Sequence, residues 1–140
     1  MQPETEQAST LNNIAAIHFG RKEYEQAIKL TSQAIVIERR NGNAHNTAIL
    51  QINLGGILNK DKQYAAAEKE LLAGLSAIRL VGDKNWEASA CKALGLLALA
   101  QKQPVDHLGP NDWFTKAEAL YREIGDTAKA NEIANLLARK

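Results

Sequence analysis

Along the first half of the chain, core-type residues return at the interval of a helix rather than of a strand. Leu11, Ile14, Ala15 and His18 stand at i, i+3, i+4 and i+7, and Tyr24, Ala27, Ile28, Thr31, Ala34 and Ile35 extend the stripe. That spacing places side chains on one face of an α-helix. No alternating run of useful length competes with it. Short breaks interrupt the pattern at "NGN" (41–43), "VGD" (81–83) and "IGD" (124–126). Gly in such a break can take the left-handed conformation that closes one helix, and the Asn or Asp after it can cap the next. The pattern predicts seven helices, at about residues 6–20, 23–40, 44–61, 64–81, 84–101, 112–124 and 127–138.

The stripe itself repeats. Asn13, Tyr24, Ala27 and Gly42 recur forty positions on as Asn53, Tyr64, Ala67 and Gly82. A third, degenerate copy follows at an interval of 43, with Gly82-Asp83 returning as Gly125-Asp126, and "NLGGIL" (53–58) is answered by "ALGLLA" (93–98). One helix pair cannot bury its apolar stripe alone, so stacked pairs must share a core. The expected fold is therefore all-α, a right-handed α-solenoid of three helix pairs plus a C-terminal capping helix. It forms a single domain over residues 1–140, with repeats at 6–42, 43–82 and 83–125 and the cap at 126–140. The third repeat carries an inserted loop, "QKQPVDHLGPND" (101–112), in which Pro104, Gly109 and Pro110 end one helix and Asn111 or Asp112 would cap the next. In the last segment Ala130, Ile133, Ala134 and Leu137 share a face, leaving Lys129, Glu132, Asn135 and Arg139 outward.

Ile14, Ala15, Tyr24, Ala27 and Ala34, repeated as Leu54, Gly55, Tyr64, Ala67 and Gly74, resemble the tetratricopeptide-repeat (TPR) family. There, an apolar and a small residue in helix A meet a Tyr at the turn and two small residues in helix B. The period of 40 exceeds the family's usual period of about 34, and Arg39 and Arg79 stand where a Pro is expected. Both features resemble the longer-helix branch typified by kinesin light chains, whose six extra residues add roughly 9 Å of helix per repeat. Lys22 and Lys62 occupy turn positions where the family prefers Gly. The resemblance implies a protein–protein interaction module that takes a peptide or partner segment in a concave groove.

Composition narrows the alternatives. Seventeen basic and sixteen acidic residues give a net charge of +1, with no long run of like charge, so no nucleic-acid partner is expected. The longest apolar runs, such as "LGLLALA" (94–100), fall well short of the roughly 18 to 20 residues of a membrane span, so no membrane partner is expected either. "MQPETEQAST" has neither the basic start nor the apolar core of a secretory signal. Cys91 is alone, which excludes an intrachain disulfide and favours a cytoplasmic location. His18, His45 and His107 are scattered, and no phosphate loop, zinc spacing or nucleophile elbow occurs. Neither catalysis nor a metal or cofactor is expected. His18 reads as a packed, hydrogen-bonded core residue and Cys91 as a small buried hydrophobe; Trp86 and Trp113 read as covers for open ends of the core.

Asn13 and Asn53 stand out because they immediately precede the Ile14 and Leu54 core positions, which turns them by about 100° toward the inner face. An Asn amide can both accept from and donate to the backbone of an extended peptide, so two of them one repeat apart could form a ladder for a main chain. In related proteins an Asn at this position does contact peptide backbone. The alternative, that each bonds a neighbouring helix or water, stays open from sequence. The predicted groove is lined by Asn12, Asn13 and Ala16 from the first repeat, Ile49, Ile52, Asn53 and Gly56 from the second, and Lys92 and Leu96 from the third. Ser9, Phe19, Asn59, Ser89 and Leu99 lie on the same inner face. With Lys92 as the main cation and Lys60 at the rim, a Lys/Arg clamp for a terminal carboxylate is not expected. Two other roles compete with peptide binding: self-association as a scaffold, and service as the regulatory repeats of a larger signalling protein.

Overall fold

The computed structural model describes residues 3–138, with side chains from 6 to 137. Seven helices follow one another: α1 (Pro3–Gly20), α2 (Tyr24–Arg40), α3 (Ala44–Lys60), α4 (Tyr64–Val81), α5 (Lys84–Gln101), α6 (Pro110–Glu123) and α7 (Thr127–Ala138). Among the described residues there is no strand, only an isolated bridge between Val105 and Leu108. The last two residues assigned to the capping segment, 139 and 140, lie outside the described residues.

The breaks behave alike because they are built alike. Gly42, Gly82 and Gly125 adopt φ of 69°, 85° and 79°, left-handed values that cost glycine little. The next residue then caps the following helix: Asn43 accepts from the Asn46 N–H at 3.1 Å, Asp83 from Trp86 at 3.0 Å and Asp126 from Lys129 at 3.1 Å. Each cap satisfies one of the orphan donors of a helix N-terminus. Within the first two pairs the turns are tighter. Lys22 and Lys62 reverse the chain at φ of 62° and 63°, a conformation that costs a residue with a Cβ roughly 1 to 2 kcal/mol.

The inserted loop is ordered by its own hydrogen bonds. Val105 and Leu108 exchange N–H···O bonds of 2.9 Å around Asp106 and His107, both at positive φ, and the buried Trp113 indole N–H donates to the Val105 carbonyl at 3.2 Å. The sixth helix starts earlier than predicted. Pro110 opens it, suited to a first turn where its missing N–H is no loss. Asp112 is accordingly not the cap residue but lies within the first turn, reaching back to accept from the Gly109 N–H at 3.0 Å.

Packing joins α1 to α2, α3 to α4 and α5 to α6, with α2 against α3, α4 against α5, and α7 closing on α6. Small residues permit the close approaches. A Cβ on Gly55 would lie 2.4 Å from Leu71 Cγ, and one on Gly95 would lie 2.5 Å from Phe114 Cε1. Ala27, Ala34, Ala67, Ala88, Ala117 and Ala130 are fully buried in the same seams.

Two sequence expectations are corrected. Ile14 is not core: it is 39% exposed and Ile17 55%, while their counterparts Leu54 and Ile57 are each 7% exposed and Leu94 and Leu97 are fully buried. In α3 and α5 this face meets the preceding helix pair; on α1, among the described residues, nothing packs there. His18 is also not a core residue. It sits half-buried at the end of α1, its Nδ1 2.8 Å from Glu23 Oε1, and pins the turn into α2.

Candidate functional site

The A-type helices α1, α3 and α5 run side by side, but not with equal spacing. α3 packs directly on α5, whereas α1 and α3 make no comparable contact. A crevice therefore opens between α1 and α3 and continues across α3 to α5, with a volume of about 630 Å³. Asn12, Ala16 and Phe19 form one wall, Ile52, Asn53, Gly56 and Asn59 the opposite ridge, and Ser89, Ala93 and Leu96 carry it onto α5. Its floor is Thr31 of α2.

Thr31 explains part of the opening. One repeat later the same position is Leu71, which is fully buried against Gly55. Thr is smaller, so the first repeat leaves unfilled space where the second is packed. It also leaves a polar atom: Thr31 is 0% exposed, and its Oγ1, like Asn59 Oδ1, has no hydrogen-bond partner among the described residues. Buried polar atoms are nearly always paired. Apolar walls carrying a few convergent polar groups are typical of ligand grooves. No lining residue is acidic, and Lys60 and Lys62 stand at the end nearest Phe19 and Tyr64.

Of the residues anticipated from sequence, Asn12, Ala16, Ile52, Asn53, Gly56 and Leu96 come together in this crevice. Ile49 lies beyond its far end, where it and Asn12 line a second, smaller cavity of about 110 Å³. Asn13 and Lys92 line neither. Asn53 is walled in because α1 stands on its other side; the corresponding wall for Asn13 would precede α1, and Asn13 is exposed. Of the two asparagines, Asn53 lines this crevice and Asn13 does not. Lys92 is not among the lining residues, and the cations bordering the groove are Lys60 and Lys62 instead. Leu99, also expected inside, is exposed. Trp86 packs against the core, as anticipated, and also lines the groove. In the sequence Thr31 reads only as a member of the core-facing stripe and Glu38 goes unnoticed, although pairing positions forty apart sets them opposite Leu71 and Ile78, two polar residues at core positions.

Charge elsewhere is structural. The half-buried cap Asp83 has its carboxyl raised by burial but, on balance, held below the usual range by the Trp86 N–H, by the His45 imidazole 2.8 Å away and by the Asn85 N–H. Burial pushes the Cys91 thiol up to about 11, which suits packing and not nucleophilic chemistry.

Residues 6–71 match the tetratricopeptide-repeat family. The match runs from α1 into α4, over the stretch where the two forty-residue copies are clearest. The all-helical architecture of stacked pairs is that of a TPR-type solenoid. The family as a whole mediates protein–protein interactions without catalysis. No curated protein matches the chain. Among the described residues no helix is long and apolar enough to cross a membrane.

Proposed function

We propose that this chain is a peptide-binding TPR module of the long-period, kinesin-light-chain-like kind. Its three repeats and cap act as one cytoplasmic domain, and an extended segment of a partner protein lies in the crevice between α1 and α3. The observation that carries the reading is the floor of that crevice. Thr31 Oγ1 is fully buried with no hydrogen-bond partner among the described residues, and the side chains of Asn53 and Asn59 border the same space. A buried oxygen left unpaired costs about 1 to 3 kcal/mol. Because Thr31 is fully buried, a backbone N–H or side-chain donor relieves that cost only as the groove walls part around it, while apolar side chains settle against Ile52, Phe19 and Leu96. Recognition in this form needs no catalytic group or cofactor.

The test is selection of peptides from a random nine-residue library on the immobilised protein, followed by affinity measurement with the Gly56→Trp variant. A Cβ at Gly56 meets nothing within 4 Å, so the indole enters the groove and not the core. Selection of a defined motif, lost on Gly56→Trp at an unchanged melting temperature, supports the reading. Motifs that bind the variant equally well refute it, as does failure to select any.

A second reading, association of this module with another copy end to end, has one observation in its favour. Ile14 and Ile17 lie bare on α1 at positions that are covered in α3 and α5. Sedimentation of wild type and Ile17→Glu decides it: concentration-dependent association abolished by the charge supports the contact, and a monomer at all concentrations excludes it.

A further inference from the structure

The smaller cavity at the other end of the crevice holds a carboxylate in a position built for an apolar residue. Glu38 of α2 is only 1% exposed, and its counterpart one repeat on is Ile78, fully buried. One carboxylate oxygen, Oε2, accepts from Asn46 Nδ2 at 2.6 Å. The other, Oε1, is buried with no hydrogen-bond partner among the described residues. Glu38 lines a cavity of about 110 Å³ between the middle of α1 and the first two turns of α3, which Ser9, Asn12 and Asn46 also line and to which no cation among the described residues contributes. Asn12 is shared with the main groove, so the two spaces adjoin.

Building on the peptide-groove reading, we propose that this cavity is a specificity subsite that takes the ammonium group of a lysine side chain on the bound segment, with Glu38 Oε1 as its acceptor. A buried acceptor without a cation calls for one from outside, because charges buried in proteins are paired. Lysine fits better than arginine. Asn46 already occupies Oε2, so the bidentate fork of a guanidinium finds one oxygen, whereas a compact ammonium needs only one and can donate its other protons to Ser9 and Asn12. The subsite also orients the ligand. Lys60 lies about 21 Å away along α3, counted from Asn46 at 1.5 Å per residue, with Lys62 in the turn beyond it, so the bound segment places its lysine at the α3 N-terminus and any acidic residue toward the α3 C-terminus.

The experiment uses the strongest-binding peptide from the nine-residue selection and two synthetic analogues, with its lysine replaced by norleucine or by arginine. On the wild-type protein the subsite predicts a lysine at a constant position among the selected peptides, roughly tenfold or greater weakening by norleucine, and a smaller loss with arginine. Glu38→Gln keeps the bond with Asn46 and removes the charge; on it, the lysine and norleucine peptides bind within about twofold of each other. The peptide analogues need no change to the protein, so folding of the variant does not limit the test. Selected peptides without a basic position, or a lysine advantage that survives in Glu38→Gln, refute the subsite and leave the groove standing. Binding unaffected by Gly56→Trp refutes the groove and the subsite together.

Discussion

Adjacent glycines in α3 offer a sign test of the helix packing. Gly to Ala in a helix interior normally stabilises by about 0.5 to 1 kcal/mol, because the unfolded chain loses freedom. At Gly56 nothing lies within 4 Å of the added Cβ, so the full gain is expected. At Gly55, one residue earlier on the same helix, the Cβ would lie 2.4 Å from Leu71 Cγ and 2.5 Å from Cδ2, against the roughly 3.5 to 4.0 Å of an unstrained carbon contact. Leu71 is fully buried and cannot withdraw by more than 1 Å without displacing α4. Overpacking of this kind costs about 1 to 3 kcal/mol, and the size of the overlap puts it at the upper end. After the propensity gain, Gly55→Ala should be about 2 kcal/mol less stable than wild type. At roughly 3 to 5 °C per kcal/mol for a chain of this size, Gly55→Ala melts about 6 to 10 °C lower and Gly56→Ala about 2 to 4 °C higher. Urea unfolding followed by circular dichroism, with the same slope for all three proteins, measures both. Two stabilised variants would falsify the close approach of α3 and α4 on which the repeat packing rests.

Glu38→Ile installs the residue that the second repeat carries at this position. It should raise stability by about 1 to 2 kcal/mol in urea unfolding, since a buried unpaired oxygen disappears and the part-exposed Asn46 amide turns to water; loss of lysine-dependent binding in the same variant would mark a trade of stability for function. Asp83→Asn preserves a capping oxygen but removes the charge. Because the folded carboxyl is held below its usual range, the stability it adds is present above the unfolded value near 3.9 and is lost as the pH falls through the lower folded value. Wild type should therefore exceed the variant by about 0.5 to 1 kcal/mol at neutral pH, and the gap should close in acid. Cys91, buried and with its thiol pushed up to about 11, should react with iodoacetamide at pH 8 on the order of a hundredfold more slowly in the native protein than in urea.

The first four helices were legible in the sequence because each is announced twice, once by its apolar stripe and again by its copy, and the last three by their stripes and the breaks between them. The breaks at Gly42, Gly82 and Gly125 do the same chemical work in the structure that their composition suggests; α1 starts at Pro3 and α6 at Pro110, both earlier than predicted, the latter because Asp112 can serve either as a cap or from within the first turn. The groove was half legible. The direction of an inner-face side chain follows from helix geometry, and Asn12, Ala16, Ile52, Asn53, Gly56 and Leu96 do line one crevice. What surrounds that side chain depends on neighbouring helices, and here periodicity misled: Asn13 and Ile14 copy Asn53 and Leu54 in sequence, but among the described residues no helix pair stands against α1 as one stands against α3. Thr31 and Glu38 are the opposite case. They break the repeat pattern, and a search for similarity passes over such departures even though they shape the crevice.

The central claim is that the α1/α3 crevice is where a partner segment binds. It is tested most directly by amide chemical-shift mapping of the isotope-labelled protein titrated with the best selected peptide. The account predicts the largest shifts at Asn12, Ala16, Thr31, Asn53, Gly56 and Ala93, with α7 and the bare face of α1 at Ile17 silent. Shifts concentrated at Ile14 and Ile17, or on the outer surfaces of α4 and α6, would contradict it.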